Sequence, residues 1–180
     1  HRCYMSLVKK TNTRGFTLIE LLVVVAIIGV LSSVVLSSLN TAREKARDVT
    51  RITHMREIQK ALQLYWLDNR VWPPRTADSC LDGWDVTPCS GNDTFIEGLE
   101  TGGYMSDVPT DPLGTGNYHY RYYVYSAGAY GCDASRGPFY VLGINDMENS
   151  SRPHPDSPGW SCPSRNWQNE FDWVIGAYQS

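Results

Sequence analysis

Apolar positions fall into three regimes along the 180 residues. From Phe16 they are nearly continuous: no polar side chain interrupts Leu21 to Leu31, and Val34, Val35, Leu36 and Leu39 extend the run. As a helix this stretch reaches about 36 Å, enough to cross a bilayer. From Thr41 to Asn69 apolar residues recur at steps of three and four, at Ala42, Ala46, Val49, Ile52, Met55, Ile58, Leu62 and Tyr65. That spacing is one stripe of an amphipathic helix. The other face carries Arg43, Lys45, Arg47, Arg51, Arg56 and Lys60 against Glu44, Asp48 and Glu57. No proline lies between Phe16 and Trp72, so the two regimes read as one helix of about 80 Å. Its expected end is Asn69, a tolerated left-handed cap, ahead of Pro73-Pro74.

The third regime is short and irregular. Arg75 to Asn92 is turn-rich, and Thr94 to Tyr104 fits a short helix bearing Phe95, Ile96 and Leu99. Asn117 to Ala127 alternates Tyr118, Tyr120, Tyr122 and Val124 with His119, Arg121, Tyr123 and Tyr125, the mark of a half-buried antiparallel strand. Phe139 to Ile144 and Phe171 to Tyr178 predict two more strands, separated by a long loop rich in Ser, Pro and Asn, Asn145 to Asn169. The expected fold class is α+β: a long N-terminal helix packed through Leu62, Tyr65 and Trp66 on a small three-stranded antiparallel meander. The expected organisation is a leader at 1–15, a membrane helix at 16–39, an amphipathic helix at 40–69 and a globular region at 70–180.

Charge assigns sides. Arg2, Lys9, Lys10 and Arg14 precede the apolar run without an acidic residue, so the positive-inside rule keeps the leader cytoplasmic and sends the rest across the membrane. Met5 reads as the start, with His1 to Tyr4 an upstream extension. The net charge of −3 falls to −7 once the four leader cations are removed, and 14 acidic face 6 basic residues after Asn69. Such a surface does not suit nucleic acid.

Cysteine usage agrees with export. Cys3 lies in the leader, leaving Cys80, Cys89, Cys132 and Cys162, an even number that reads as two disulfides. Three connectivities are open. The preferred one is Cys80 with Cys89, closing a loop of turn residues, and Cys132 with Cys162, stapling two irregular segments. The chain has no C-x-x-C or H-x-x-x-H spacing for zinc, no G-x-S-x-G, no H-E-x-x-H and no phosphate-cradling glycine loop. It reads as a structural protein rather than an enzyme.

Glu20 is the exception within the apolar run. A carboxylate in a membrane span costs about 2.5–3.5 kcal/mol on insertion scales, so it calls for a partner. Cleavage after Gly15 would supply one, the new α-amino group of Phe16 in the same apolar layer. The segment Gly15-Phe16-Thr17-Leu18-Ile19-Glu20 behind a short basic leader resembles the processing site of type IV pilins and type II secretion pseudopilins. A secretory signal differs, because its small-residue cleavage site follows its apolar core.

The resemblance implies that a prepilin peptidase cuts between Gly15 and Phe16, that Phe16 becomes N-methylated and that the chain polymerises through its helix, with Glu20 serving assembly. Further along, Leu67 to Pro73 resembles the Asp-Asn-Gly-x-Tyr-Pro exit of these proteins, with Arg70 in place of the glycine and Trp72 in place of the tyrosine. Val108-Pro109-Thr110-Asp111-Pro112-Leu113-Gly114 resembles the turn of the major pseudopilins, where tryptophan usually stands at Leu113. Those pseudopilins often bind calcium in the loop between late strands. The nearest oxygen-rich run here is Asn145 to Asn149, offering Asp146 and Glu148 plus carbonyls but not the family's repeated aspartates.

The leading reading is a filament subunit held by the bilayer, with its globular region extracytoplasmic. Its partners are copies of itself and related pilins, the prepilin peptidase and an inner-membrane assembly platform. The 109–114 turn favours a secretion pseudopilus; the cysteines and the long last loop favour a pilus. The alternative is a membrane-tethered monomeric recognition module binding glycan or single-stranded DNA through Tyr118, Tyr120, Tyr122, Tyr123, Tyr125, Trp160 and Trp167.

Overall fold

A computed structural model of the chain describes residues 15–76, 83–87 and 94–180. In chain order its elements are helix α1 (Leu18–Asn69), strand β1 (Asp85–Thr87), helix α2 (Glu97–Thr101), and strands β2 (Tyr120–Tyr125), β3 (Phe139–Ile144), β4 (Ser161–Cys162), β5 (Arg165–Asn166) and β6 (Trp173–Tyr178). Short 3₁₀ turns lie at Ala129–Gly131, Ala134–Arg136 and Trp167–Asn169. The chain divides into two units, one ending at Asn40 and one from Thr41 to Ser180. The described part of the first unit carries only exposed side chains.

In the second unit four strands form one antiparallel sheet in the order β1-β2-β3-β6, and β4 pairs with β5. The three expected strands are present, Phe139–Ile144 with the expected bounds, the first trimmed at both ends and the third at its start. The expected three-stranded meander is corrected to four strands by β1, which pairs Val86 with Arg121 of β2. Its own sequence hides it: three residues with an aspartate at the head and Pro88 just behind carry little strand signal, so its partner fixes it.

One face of the sheet receives α1. Ile52, Met55, Ile58, Ala61 and Leu62 pack with Tyr120, Tyr122, Tyr140, Leu142, Ile144 and Trp173 in one core. Tyr65 and Trp66 are only partly buried at its edge. The expected stripe is right from Ile52 onward and wrong before it: Ala42, Ala46 and Val49 are exposed, while Asp48 and Arg51 are buried. There α1 meets the polar 145–149 segment rather than the apolar sheet.

The other face is covered by the long loop. Phe139, Val141 and Val174 lie beneath Trp84, Trp167 and Phe171, with Trp160 partly buried against them. Two strand glycines make this cover possible. A Cβ on Gly143 would stand 2.6 Å from the Phe171 ring, and one on Gly176 would stand 2.4 Å from the Trp160 ring. Bare backbone lets both rings lie against the sheet.

Candidate functional site

Chemistry concentrates at two places on α1. The first is its start. Gly15, Phe16 and Thr17 precede the helix, and Phe16 is 74% exposed. Glu20 Oε2 accepts from the Thr17 backbone N–H and from the Thr17 hydroxyl, each at 2.8 Å, and the Glu20 N–H donates to Thr17 Oγ1 at 3.2 Å. This reciprocal pair is a capping box that satisfies orphan donors of the first turn. Within one copy, then, Glu20 starts the helix one turn from the peptide bond expected to be cut. Behind it, Leu18 to Leu39 present every apolar side chain outward, and α1 is the one helix among the described residues long and apolar enough to cross a membrane.

The second place is a buried charge cluster where α1 meets the 145–149 segment. Arg51 is fully buried. Its Nε and Nη2 donate to the two oxygens of Asp111 at 2.8 and 3.0 Å, and its Nη1 donates to Asp48 at 2.7 Å and Glu148 at 2.9 Å. Arg47 grips Glu148 with two further bonds. The Asp48 carboxylate accepts the backbone N–H groups of Glu148 and Asn149. Asp111 also accepts from Leu113 and Gly114, so the pseudopilin-like turn is folded around the carboxylate that holds Arg51. Burial alone would push the Arg51 guanidinium down, but the bonds from Asp111, Glu148 and Asp48 outweigh it and hold it above its ordinary value. The Arg47 bond, against burial and with help from Arg51, holds Glu148 below the usual carboxylate range.

A neighbouring cation closes the same segment. Arg152 donates from Nε to Asp172 Oδ1 at 3.0 Å and from Nη2 to the Asn145 carbonyl at 2.8 Å and to Asp146. The two carboxylates expected to offer oxygens to calcium therefore face different arginines, Asp146 toward Arg152 and Glu148 toward Arg47 and Arg51. Among the described residues no three His, Cys, Asp or Glu side chains gather as a metal ion needs. These donors do not fit calcium, because guanidinium groups already use them.

The sequence pattern places Asp48 and Arg51 on the solvent face and Asp111 in a turn, and singles out neither Arg152 nor Asp172. The signal is present: Asp48, Arg51, Met55, Ile58 and Leu62 follow the three-and-four spacing of the buried stripe, masked by the charge of its first two members.

Cys132 and Cys162 form a disulfide, with Cα atoms 5.0 Å apart, between the 129–137 turns and β4. Cys80 and Cys89 lie outside the described residues. The aromatics considered as a recognition face are, apart from the half-buried Tyr118, divided between the two cores: Tyr120 and Tyr122 are fully buried against α1, and Trp167 is fully buried on the other side. A polar cleft of about 330 Å³ remains beside Trp84, Arg121, Tyr123, Tyr125, Tyr130, Arg165 and Glu170. Its Arg165 is engaged by Glu170, Tyr125 and Tyr130.

An apolar helix with a capped start, continuing into a half-buried helix on an antiparallel sheet, defines a pilin-like, membrane-anchored subunit. The chain belongs to the family of type II secretion system protein G. That family's sequence model matches residues 38–138, and the model of the prokaryotic N-terminal methylation motif matches residues 10–36. The type II secretion system core protein G of Vibrio cholerae is 33% identical over 153 residues, covering 85% of this chain and 95% of its own. That of Escherichia coli is 31% identical over 137 residues, 74% and 87% of the two chains. A type IV wide pilus major component of Thermus thermophilus is 35% identical over 79 residues, 44% of this chain and 60% of its own. No solved structure matches.

Proposed function

We propose that the protein is the structural subunit of a type IV-class filament, of the secretion pseudopilus kind, built by packing its N-terminal helix against copies of itself and related pilins. The observation that carries this reading is the bare helix: from Leu18 to Leu39 its apolar side chains are exposed, uncovered by any other described residue, and a surface of that size marks a membrane or protein contact. Before assembly the partner is the bilayer; afterwards it is the same helix of neighbouring copies. The basic leader stays cytoplasmic and Thr41 to Ser180 is extracytoplasmic. A prepilin peptidase cuts after Gly15, Phe16 is N-methylated, and an inner-membrane platform adds the trimmed subunit to the filament.

Glu20 serves both stages. In the free subunit it caps α1 through Thr17; in the filament the carboxylate meets the Phe16 amine of a neighbour, a pairing made strong by the low dielectric and costly to leave half made. N-terminal sequencing of the membrane-extracted protein is expected to begin at Phe16, and a start at Met5 in cells with an active prepilin peptidase rules the reading out. Glu20→Ala is expected to insert and be cut normally yet give no sheared filaments; an undiminished filament yield refutes the pairing.

A further inference from the structure

The family's calcium habit and this chain's arginines are in conflict. Calcium holds a loop by collecting six to eight carbonyl and carboxylate oxygens at its centre. Here the oxygens of the late loop are collected too, but around guanidinium groups. The Asn145 carbonyl, Asp146 and Asp172 converge on Arg152, while Asp172 also accepts the Met147 N–H at 2.7 Å. Two residues on, Glu148 turns the other way to Arg47 and Arg51, and the following backbone N–H groups close onto Asp48. Every turn of the 145–149 segment is thus tied by a charged side chain covalently part of the chain. Asp172 is only 7% exposed and Arg152 36%, so the Arg152 pair lies at the edge of the fold, where a dissolved ion has access.

From this we infer that Arg152 and Arg51 are resident cations standing in for calcium: the chain folds its late loop without the metal and does not bind it. A calcium ion would have to expel Arg152, break its bonds to Asn145, Asp146 and Asp172, and still find the rest of its oxygen shell, since Glu148 is held on the other side. A tethered guanidinium has no dissociation to suffer and is indifferent to the ion content outside the membrane. The inference is independent of the filament proposal, because it concerns only how the extracytoplasmic unit is held together.

The test uses the full chain in detergent micelles, with unfolding followed by tryptophan fluorescence in excess EDTA or excess calcium chloride, and calcium binding measured by isothermal titration calorimetry. The wild-type melting temperature is expected to be the same in both, with no calcium heat. A rise with calcium, or a saturable heat, overturns the inference. Arg152→Ala is expected to melt about 5 °C lower in EDTA and to recover part of the loss when calcium is added, because the three oxygens are then released to an ion; Arg152→Lys, which keeps a cation there, is expected to stay blind to calcium. An Arg152→Ala protein as stable as wild type in EDTA shows that the arginine holds nothing. One that is destabilised but unmoved by calcium shows an ordinary surface clamp, and either result defeats the substitution argument.

Discussion

At the scale of single residues, Arg51 is the position on which the unit from Thr41 to Ser180 is most exposed to damage. A buried charge is tolerable only when paired and hydrogen-bonded, and this one answers Asp48, Asp111 and Glu148 together. Arg51→Ala leaves Asp48 and Asp111 without their cation beside Glu148, which keeps only Arg47, a loss of about 3–5 kcal/mol expected from urea titration of the full chain in micelles. Arg51→Lys is expected to recover little of it, since an ammonium cannot reproduce the two-pronged bond to Asp111. The same cluster sets an acid limit. The folded-state pKa of Glu148 lies below the unfolded one, so its contribution is complete above the unfolded carboxylate value of about 4.3 and disappears as pH falls through the folded value. Glu148→Gln is therefore expected to be less stable than wild type at neutral pH while losing less between neutral pH and about pH 3; an unchanged acid slope would deny Glu148 this role. Sequence alone brought out Asp111 as part of a turn and Glu148 as an oxygen donor. It did not show that both point at one arginine, because a charge in a helix reads as solvated until its facing residues are known.

At the scale of elements, α1 was legible because its signals agree: an unbroken apolar run, then a three-and-four spacing, and no proline before Pro73. Its end was legible to within one residue. Arg70, not Asn69, takes the left-handed conformation, at φ 59°, and Asn69 instead donates from its side chain to the Tyr65 carbonyl and the Tyr104 hydroxyl. The left-handed region costs a side-chain-bearing residue about 1–2 kcal/mol and glycine almost nothing. Arg70 offsets part of that by lying 5.1 Å over the Trp66 ring, worth about 0.5–1 kcal/mol at an exposed site. Arg70→Gly is therefore expected to raise the melting temperature by about 2–4 °C; a lower one would mean that the stacking outweighs the strain. β1 and the turn before α2 were not legible, and for a common reason. Ile96, a β-branched residue at φ 50°, and the strand Asp85–Thr87 are both organised by one side chain, Asp85, which accepts the Ile96 N–H at 3.1 Å and the hydroxyl of Thr76. Local propensity argues against both, and only the long-range bonds prevail.

At the scale of the whole molecule, the alternation along β2 foretold a sheet with one buried face, yet the structure buries both. The inner face belongs to α1; the outer one is roofed by the long loop, which was legible as a loop but not as a lid, because its two tryptophans are separated by turn residues and a two-residue hairpin. The disulfide holds that roof. Cys132 and Cys162 are themselves in the outer core, and the bond closes 30 residues of chain, a constraint on the unfolded state of about 3–4 kcal/mol in the chain-entropy account. Among the described residues the inner core has no cysteine in it, so it is expected to keep its contacts when the bond is gone. Cys132→Ser is thus expected to act unevenly. Hydrogen exchange of the full chain in micelles should quicken most at β4, β5 and the 129–137 turns, where cover is lost, while Met55 to Leu62 on α1 and the facing residues of β3 remain the slowest to exchange, in keeping with the different local stabilities of separate parts of one fold. A uniform acceleration across both faces would show that the two cores unfold as one, and that the roof is part of what holds the helix to the sheet.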